Sequence, residues 1–323
     1  MRRIAVLTSG GDAPGMNACI RAVVRYGLSA GVQVYGVRKG YQGLIENLIV
    51  ELDSRSVSGV VRMGGTMLMS ARSDDFQTEA GLKRAIEVLR GWDIDGLVVI
   101  GGDGSLRGAL ALHKSGFPVV GVPASIDNDV PGTEMSIGVD TALNTILEAI
   151  DRIKDTAAAL QRAFVIEVMG RNHGYLALMA GIAGGAEMVI LPGSRISRDQ
   201  VVEEVKSAFL RGKPHFIIVA AEGASTPTKS ISELLSEYVS ASGHDVRTTV
   251  LGHVQRGGSP TCYDRLLGTR FGAAAVDCLL KGQSGVMVGV KANQIVVSDL
   301  ETILSAAPEL SEETLRLAEP LAH

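Results

Sequence analysis

Short apolar runs alternate with amphipathic stretches from one end of the chain to the other. The runs Ile4–Thr8, Val32–Val37, Gly96–Gly101, Pro118–Val122, Ala163–Val168, Met188–Leu191, His215–Ala221, Thr248–Leu251 and Val286–Val290 are expected to be strands. Several are unbroken Val/Ile segments, the pattern of parallel strands buried on both faces. Helical period fills the gaps. Ile20, Val23 and Val24 form the stripe of the first helix, and Pro14 suits its first turn. A longer helix is expected to start at Asp140 as N-cap, with Leu143, Ile146, Leu147, Ile150 and Ile153 on one face. This βαβα order predicts a doubly wound α/β architecture with mainly parallel sheets. At roughly 150 residues per domain, 323 residues suggest two domains, with no low-complexity linker and no solenoid-length repeat between them.

Composition narrows the function classes. With 46% hydrophobic and 20% charged residues the chain can bury a core. A formal charge of −4 and only 4% aromatic residues argue against a general nucleic-acid binder, which needs basic excess and stacking platforms. Cys19, Cys262 and Cys278 are odd in number and widely spaced. They form neither a disulfide framework nor a zinc motif, so a reducing cytoplasm is the expected compartment. The apolar run behind Arg2 and Arg3 is too short for a signal peptide, and Tyr175–Ala186 is too short to span a membrane. That segment is expected to be a buried helix. Gly is the unusual residue: 39 copies imply many tight turns and places where backbone approaches a ligand.

Three of those turns follow predicted strands. The first, Thr8-Ser9-Gly10-Gly11-Asp12-Ala13-Pro14-Gly15, can close backbone N–H groups on an anion but lacks the Lys and spacing of a Walker A loop. Read alone it is equally an ordinary βα turn. The second, Gly101-Gly102-Asp103-Gly104-Ser105, sets a carboxylate among glycines, which suits a phosphate site if Mg²⁺ bridges them. Otherwise Asp103 caps a helix at Leu106–Leu112. The third, Pro123-Ala124-Ser125-Ile126-Asp127-Asn128-Asp129, puts Ser125, Asp127 and Asp129 on one face if it stays extended. Two such carboxylates can divide the work of accepting a proton and orienting an alcohol or metal; an Asx-turn cluster is the alternative. Arg72, Arg162, Arg171 and Arg256 sit at strand ends or glycine turns, where guanidinium forks can hold phosphate. Singly, each is as readily a solvated cation, and His253 a packed histidine.

Together, TSGGDAPGMN, GGT…SAR, GGDGS, SIDND, EVMGR, AEG and LGHVQRGGSP, ending at Tyr263-Asp264-Arg265, resemble the bacterial ATP-dependent members of the phosphofructokinase family. The likeness covers nearly the whole chain in order. It implies two doubly wound, Rossmann-like domains: a larger ATP-binding one (1–138 with 255–305) and a smaller sugar-phosphate-binding one (139–254 with 306–323). It implies ATP-dependent phosphorylation of fructose 6-phosphate at its C1 hydroxyl in glycolysis, with Mg²⁺, by a cytoplasmic homotetramer without nucleic-acid or membrane partners.

Carried onto this sequence, the resemblance makes Asp127 the base, with Ser125 and Asp129 beside it and Arg72 and Arg171 completing the catalytic set. Gly11, Tyr41, Arg72, Gly102, Asp103, Gly104 and Ser105 would line the ATP site, Asp103 holding Mg²⁺. Ser125, Asp127, Met169, Gly170, Arg171, Glu222, His253 and Arg256 would bind the sugar phosphate. Arg162 and Arg247 would reach a neighbouring subunit's site. Arg21, Arg25, Arg55, Lys154, Gly185, Glu187, Arg211 and Lys213 match an effector pocket for ADP or phosphoenolpyruvate.

The departures are specific. Ala124-Ser125 replaces the usual Gly-Thr, losing the methyl that restricts χ1. Ser54 stands where Arg is frequent, with Arg55 alongside; on a strand the two would face opposite ways. Pyrophosphate-using relatives have Asp at the position of Gly104 and Lys at that of Ala124, so small neutral residues here favour ATP. The alternatives are a pyrophosphate-dependent enzyme, a kinase of another sugar phosphate such as sedoheptulose 7-phosphate, and a regulator that binds these ligands without catalysis.

Overall fold

The computed structural model describes residues 1–194, 197–225, 227–239 and 245–321. The chain divides into two compact units, Met1–Thr141 with Arg256–Pro308, and Ala142–Gln255 with Glu309–His323. The first begins with β1 (Arg3–Thr8), α1 (Met16–Ser29), β2 (Gln33–Val37), α2 (Gly40–Ile45) and β3 (Ile49–Leu52). It continues through α3 (Glu79–Gly91), β4 (Gly96–Gly101), α4 (Asp103–Lys114) and β5 (Val119–Pro123). Helix α5 (Val139–Leu160) carries the chain onward to β6 (Arg162–Val168), α6 (Tyr175–Ala183), β7 (Met188–Ile190) and α7 (Arg198–Leu210). Then come β8 (Phe216–Ala221), α8 (Thr228–Val239) and β9 (Asp245–Val250). The first unit is completed by α9 (Cys262–Leu280), β10 (Val286–Lys291), β11 (Gln294–Asp299) and α10 (Leu300–Ser305), and α11 (Glu312–Leu321) closes the described chain.

Each strand read from an apolar run is present, and the sheets are mainly parallel. The first unit's sheet has the order β11-β10-β5-β4-β1-β2-β3, and the second unit's β7-β8-β6-β9. Strands β4, β5 and β8 are buried along their whole length, which is why they read as unbroken apolar runs. Two strands escaped the pattern. β3 and β11 lie at the two edges of the larger sheet and pair antiparallel with β2 and β10. β11 keeps no fully buried position, so its apolar run is interrupted where solvent begins. The membrane-length question at Tyr175–Ala186 resolves as α6, with Leu176, Ala177, Leu178 and Ala180 buried. Among the described residues no helix is long and apolar enough to cross a membrane.

Three helix starts differ from expectation. α1 begins at Met16, so Pro14 lies in the preceding turn, where Gly15 adopts φ 106° as N-cap. α4 begins at Asp103, three residues before Leu106, with Gly102 as N-cap. α5 begins at Val139, so Asp140 falls in the first turn and does not cap it. Arg55 is also corrected: it and Ser54 lie in a turn after β3, where Asp53 accepts the Arg55 N–H, and the strand-face argument does not apply.

The packing that positions the first loop is a glycine crossing. A Cβ on Gly268 of α9 would stand 2.7 Å from the Gly15 carbonyl, and one on Gly272 would stand 2.6 Å from that of Cys19. Only bare backbone lets α9 press this closely on α1 and its N-terminal turn.

Candidate active site

In the first unit β1, β4 and β5 are parallel neighbours, in register with Thr8 opposite Ile100 and Gly101 opposite Pro123. Their carboxyl ends therefore deliver all three loops to one sheet edge, the place where open α/β sheets bind ligands. The Ser9 N–H bonds the Ile100 carbonyl at 3.0 Å, and the Ala124 N–H bonds that of Gly101 at 3.0 Å. The loops are thus stitched side by side.

The first loop also fixes the segment carrying Arg72. Thr8 Oγ1 donates to the Met69 carbonyl at 3.0 Å, and Ser70 Oγ to that of Gly10 at 2.7 Å. Asn17 donates to the Met63 and Gly64 carbonyls and accepts the Met67 N–H at 2.7 Å. These bonds bring exposed Arg72 to the rim. Gly11 faces Arg256, whose guanidinium occupies the space a Cβ would need.

The second loop opens α4. The first amides of a helix have no intrahelical partners and carry the positive end of its dipole, so this turn suits anionic oxygen. Asp103 sits in that first turn and accepts from Arg107 Nε at 2.8 Å, one helical turn on. Nothing lies within 4 Å of a Cβ built on Gly104, so that position opens onto free space. Tyr41 is buried beneath the turn, donating to the Ser105 carbonyl at 2.5 Å and stacking on Phe76 with centroids 4.0 Å apart. Burial holds its hydroxyl far above the ordinary phenol range, so it remains a neutral donor.

The third segment is not extended. It turns at Ile126–Asp127, with Asn128 at φ 49°, and Asn128 ties the turn to the Glu134 carbonyl and the Ser136 N–H. Ser125 Oγ donates to Asp129 Oδ1 at 2.8 Å. The expected neighbourhood of Ser125 and Asp129 therefore arises from a closed turn, not from strand alternation. Ala124 pairs with Ile137, and the Ile137 N–H reaches the Pro123 carbonyl at 3.1 Å.

These parts enclose one cavity of about 1020 Å³. Gly11, Tyr41, Arg72, Gly102, Asp103, Gly104, Ser105, Ser125, Asp127, Asp129 and Arg256 all line it. Phe76, Leu82, Arg107, Gly108 and Ala111 line it too, and these the sequence reading did not select. The signal was present in the i, i+4 spacing of Asp103 with Arg107 and of Gly104 with Gly108. Among the described residues no group of three or more His, Cys, Asp or Glu is arranged to hold a metal alone. A Mg²⁺ arriving with a nucleotide needs only one or two carboxylates besides phosphates and water. Asp103, beside open Gly104, fits that demand.

Most of the remaining candidates lie in the second unit, in separate groups. At the carboxyl end of its sheet the Glu222 N–H bonds the Val168 carbonyl at 2.8 Å and the Gly223 N–H that of Gly170 at 3.3 Å. Buried Gln255 accepts the Met169 N–H at 3.2 Å and donates to the Gly252 carbonyl. Met169, Gly170, Arg171, Glu222 and His253 are thereby gathered, with Arg171, Glu222 and His253 exposed. Arg162 opens β6, about 20 Å from that end at 3.3 Å per residue, and Arg247 lies mid-strand in β9 opposite Phe164, about 13 Å from it. Both contact Asp245, at 3.4 and 2.6 Å. A third group joins Lys154 to the Gly185 carbonyl at 2.8 Å, and Lys213 to Glu187 at 3.6 Å, while Arg211 bonds Ser207. Arg21, Arg25 and Arg55 belong to the first unit.

The phosphofructokinase family profile matches residues 3–279. The chain belongs to the phosphofructokinase family. An ATP-dependent 6-phosphofructokinase of Brevibacillus brevis is 50% identical over 322 residues, covering 100% of both chains. That of Natranaerobius thermophilus matches to the same extent. Among solved structures, phosphofructokinase from Saccharomyces cerevisiae superposes with a TM-score of 0.88 at 35% identity. It covers all of this chain, which spans 48% of the yeast one. A pyrophosphate-dependent phosphofructokinase from Marinobacter aquaeolei reaches a TM-score of 0.86 at 21% identity, a likeness of fold alone that covers 100% of this chain and 92% of that one.

Proposed function

We propose that this phosphofructokinase transfers the γ-phosphoryl group of ATP to the C1 hydroxyl of fructose 6-phosphate, giving fructose 1,6-bisphosphate and ADP in cytoplasmic glycolysis. The carrying observation is the single cavity in which two glycine turns, Arg72 and the Ser125–Asp129 turn converge. Phosphoryl transfer asks a protein mainly for positioning and charge neutralisation. The helix-opening amides of α4 and the first glycine turn hold nucleotide phosphates. Asp127 accepts the proton of the C1 hydroxyl as its oxygen bonds to the γ-phosphorus and the bond to ADP breaks. Arg72 offsets charge on the moving group. Asp129 holds Ser125 Oγ, which orients the acceptor. Mg²⁺, held by Asp103 with the nucleotide, would supply further charge neutralisation.

Met169, Gly170, Arg171, Glu222, His253 and Arg256 bind the sugar phosphate in this reading. Arg162 and Arg247, set back from the carboxyl end of their sheet, serve a neighbouring subunit's site in a homotetramer. Lys154, Gly185, Glu187, Arg211 and Lys213, with Arg21, Arg25 and Arg55, bind ADP or phosphoenolpyruvate as effectors. Open Gly104 and the methyl of Ala124 leave room for a nucleotide donor. Steady-state rates with ATP and with pyrophosphate, each against fructose 6-phosphate and sedoheptulose 7-phosphate, test the assignment. ATP with fructose 6-phosphate is expected to give the highest kcat/KM. A higher value for another pair, or binding without turnover, overturns it.

A further inference from the structure

The Thr261–Asp264 stretch at the start of α9 has no part in the roles above, yet it holds a wholly buried carboxylate. Asp264 is 0% exposed and sits against the opening of α5. It accepts the Gly138 N–H at 2.8 Å, the Thr141 N–H at 2.8 Å and the Thr141 hydroxyl at 2.6 Å. The capping is reciprocal. The Thr261 N–H donates to Thr141 Oγ1 at 3.1 Å, Thr261 Oγ1 donates to Asp140 at 2.5 Å, and the same Thr261 oxygen accepts the Asp264 N–H at 3.3 Å. Each helix opening thus satisfies amides of the other. Burial pushes the Asp264 carboxyl above the ordinary carboxylate range, against the pull of its hydrogen bonds. A network that costs desolvation invites the question of what it fixes.

It fixes Gly138 between two walls of the cavity. Gly138 adopts φ 103°, and a Cβ there would stand 2.7 Å from Ala13 Cβ and 3.2 Å from Ile126 Cγ2. The preceding residue, Ile137, pairs with Ala124 and bonds Pro123. Ile137 Cγ2 and the Asp264 backbone also close on Gly15, where a Cβ would meet them at 2.8 and 3.0 Å. We propose that Asp264 is a positioning residue for phosphoryl transfer: through Gly138 and Ile137 it sets the Ser125–Asp129 turn against the first glycine turn. The inference rests on the reaction assigned above and adds a residue that touches neither substrate.

Asp264→Asn keeps the shape but accepts through one oxygen and turns an NH₂ toward a backbone N–H. Displacing a reacting group by about 1 Å can cost on the order of 10²-fold. The variant is expected to lose roughly 10- to 100-fold in kcat, to keep ADP binding by calorimetry, and to gain hydrogen exchange selectively over residues 124–141. Thr141→Val, which removes one of the three contacts to Asp264 together with the acceptor of the Thr261 N–H, shifts both readouts the same way by less and carries the test if Asp264→Asn does not fold. A folded Asp264→Asn protein with wild-type kcat, or one whose exchange rises uniformly across the first unit, overturns the proposal. Wild-type protein assayed alongside separates the two readings. If it does not turn over ATP and fructose 6-phosphate the assigned reaction fails, while exchange still decides whether Asp264 fixes the turn.

Discussion

The cavity of the first unit and the basic groups of the second unit are built on different principles. In the cavity the side chains are set on a backbone frame: helix-opening amides, glycines without Cβ atoms and loops tied by main-chain hydrogen bonds. The side chains that line it all come from one unit of one chain. The second unit instead presents long cationic side chains already engaged by their own neighbours. Arg162 and Arg247 share Asp245, Lys213 meets Glu187, and Lys154 bonds the Gly185 carbonyl. A site framed by backbone is ready before its ligand arrives, whereas these cations must exchange partners to bind one. The first should tolerate little substitution; the second should respond in graded fashion.

Asp127→Asn is the sharpest way to break the first region. General-base catalysis typically contributes 10²–10⁴-fold, so kcat should fall by that order while sugar-phosphate binding persists. A kcat near wild type would remove Asp127 from its role. Next comes Gly104→Asp. It points a carboxylate into open space beside nucleotide phosphates, and like charges about 4 Å apart repel by roughly 1–4 kcal/mol. The KM for ATP should rise about tenfold or more; an unchanged value would show that Gly104 does not face the donor.

Ser125 sharpens the comparison by a smaller step. Ser125→Ala removes the bond to Asp129 and should lower kcat by about fivefold, as losing one net hydrogen bond of ~1 kcal/mol implies. Ser125→Thr retains the hydroxyl, restricts χ1 and should match or exceed wild type. Equal rates for Ala and Ser would deny the hydroxyl any part. In the second region, Lys213→Ala should shrink the shift in half-saturating fructose 6-phosphate caused by ADP or phosphoenolpyruvate. Partly exposed ion pairs are worth up to about 1 kcal/mol, so the change should stay within about fivefold. Saturation curves indifferent to both effectors in wild-type protein would leave these residues as surface cations.

What the sequence made legible follows from the same contrast. Strands buried on both faces announce themselves as apolar runs, and the glycine turns at their ends can be read as loops before any coordinates exist. β3 and β11 could not be found that way, because an edge strand is half solvent-facing: Glu51 and Val297 are exposed beside buried or half-buried neighbours. The Ser125–Asp129 segment reads from sequence either as extended chain or as an Asx-turn cluster, and Asn128 at its centre, a residue that accepts left-handed backbone, makes it the turn. The capping of α5 was assigned locally to Asp140, whereas the acceptor of its first amides is Asp264, distant by 123 residues from Thr141. Caps supplied by another helix have no spacing rule to reveal them. Arg107 was legible from its i, i+4 relation to Asp103 but lies outside the motifs that drew attention.

The central claim is that the cavity transfers phosphoryl from a nucleotide to the sugar's C1 oxygen, and ³¹P NMR of a single reaction tests it directly. With ATP, Mg²⁺ and fructose 6-phosphate, the account expects ADP and a new C1 phosphomonoester to grow in equal amounts. ADP accompanied by inorganic phosphate without fructose 1,6-bisphosphate, or sugar bisphosphate formed only when pyrophosphate is the donor, would contradict it.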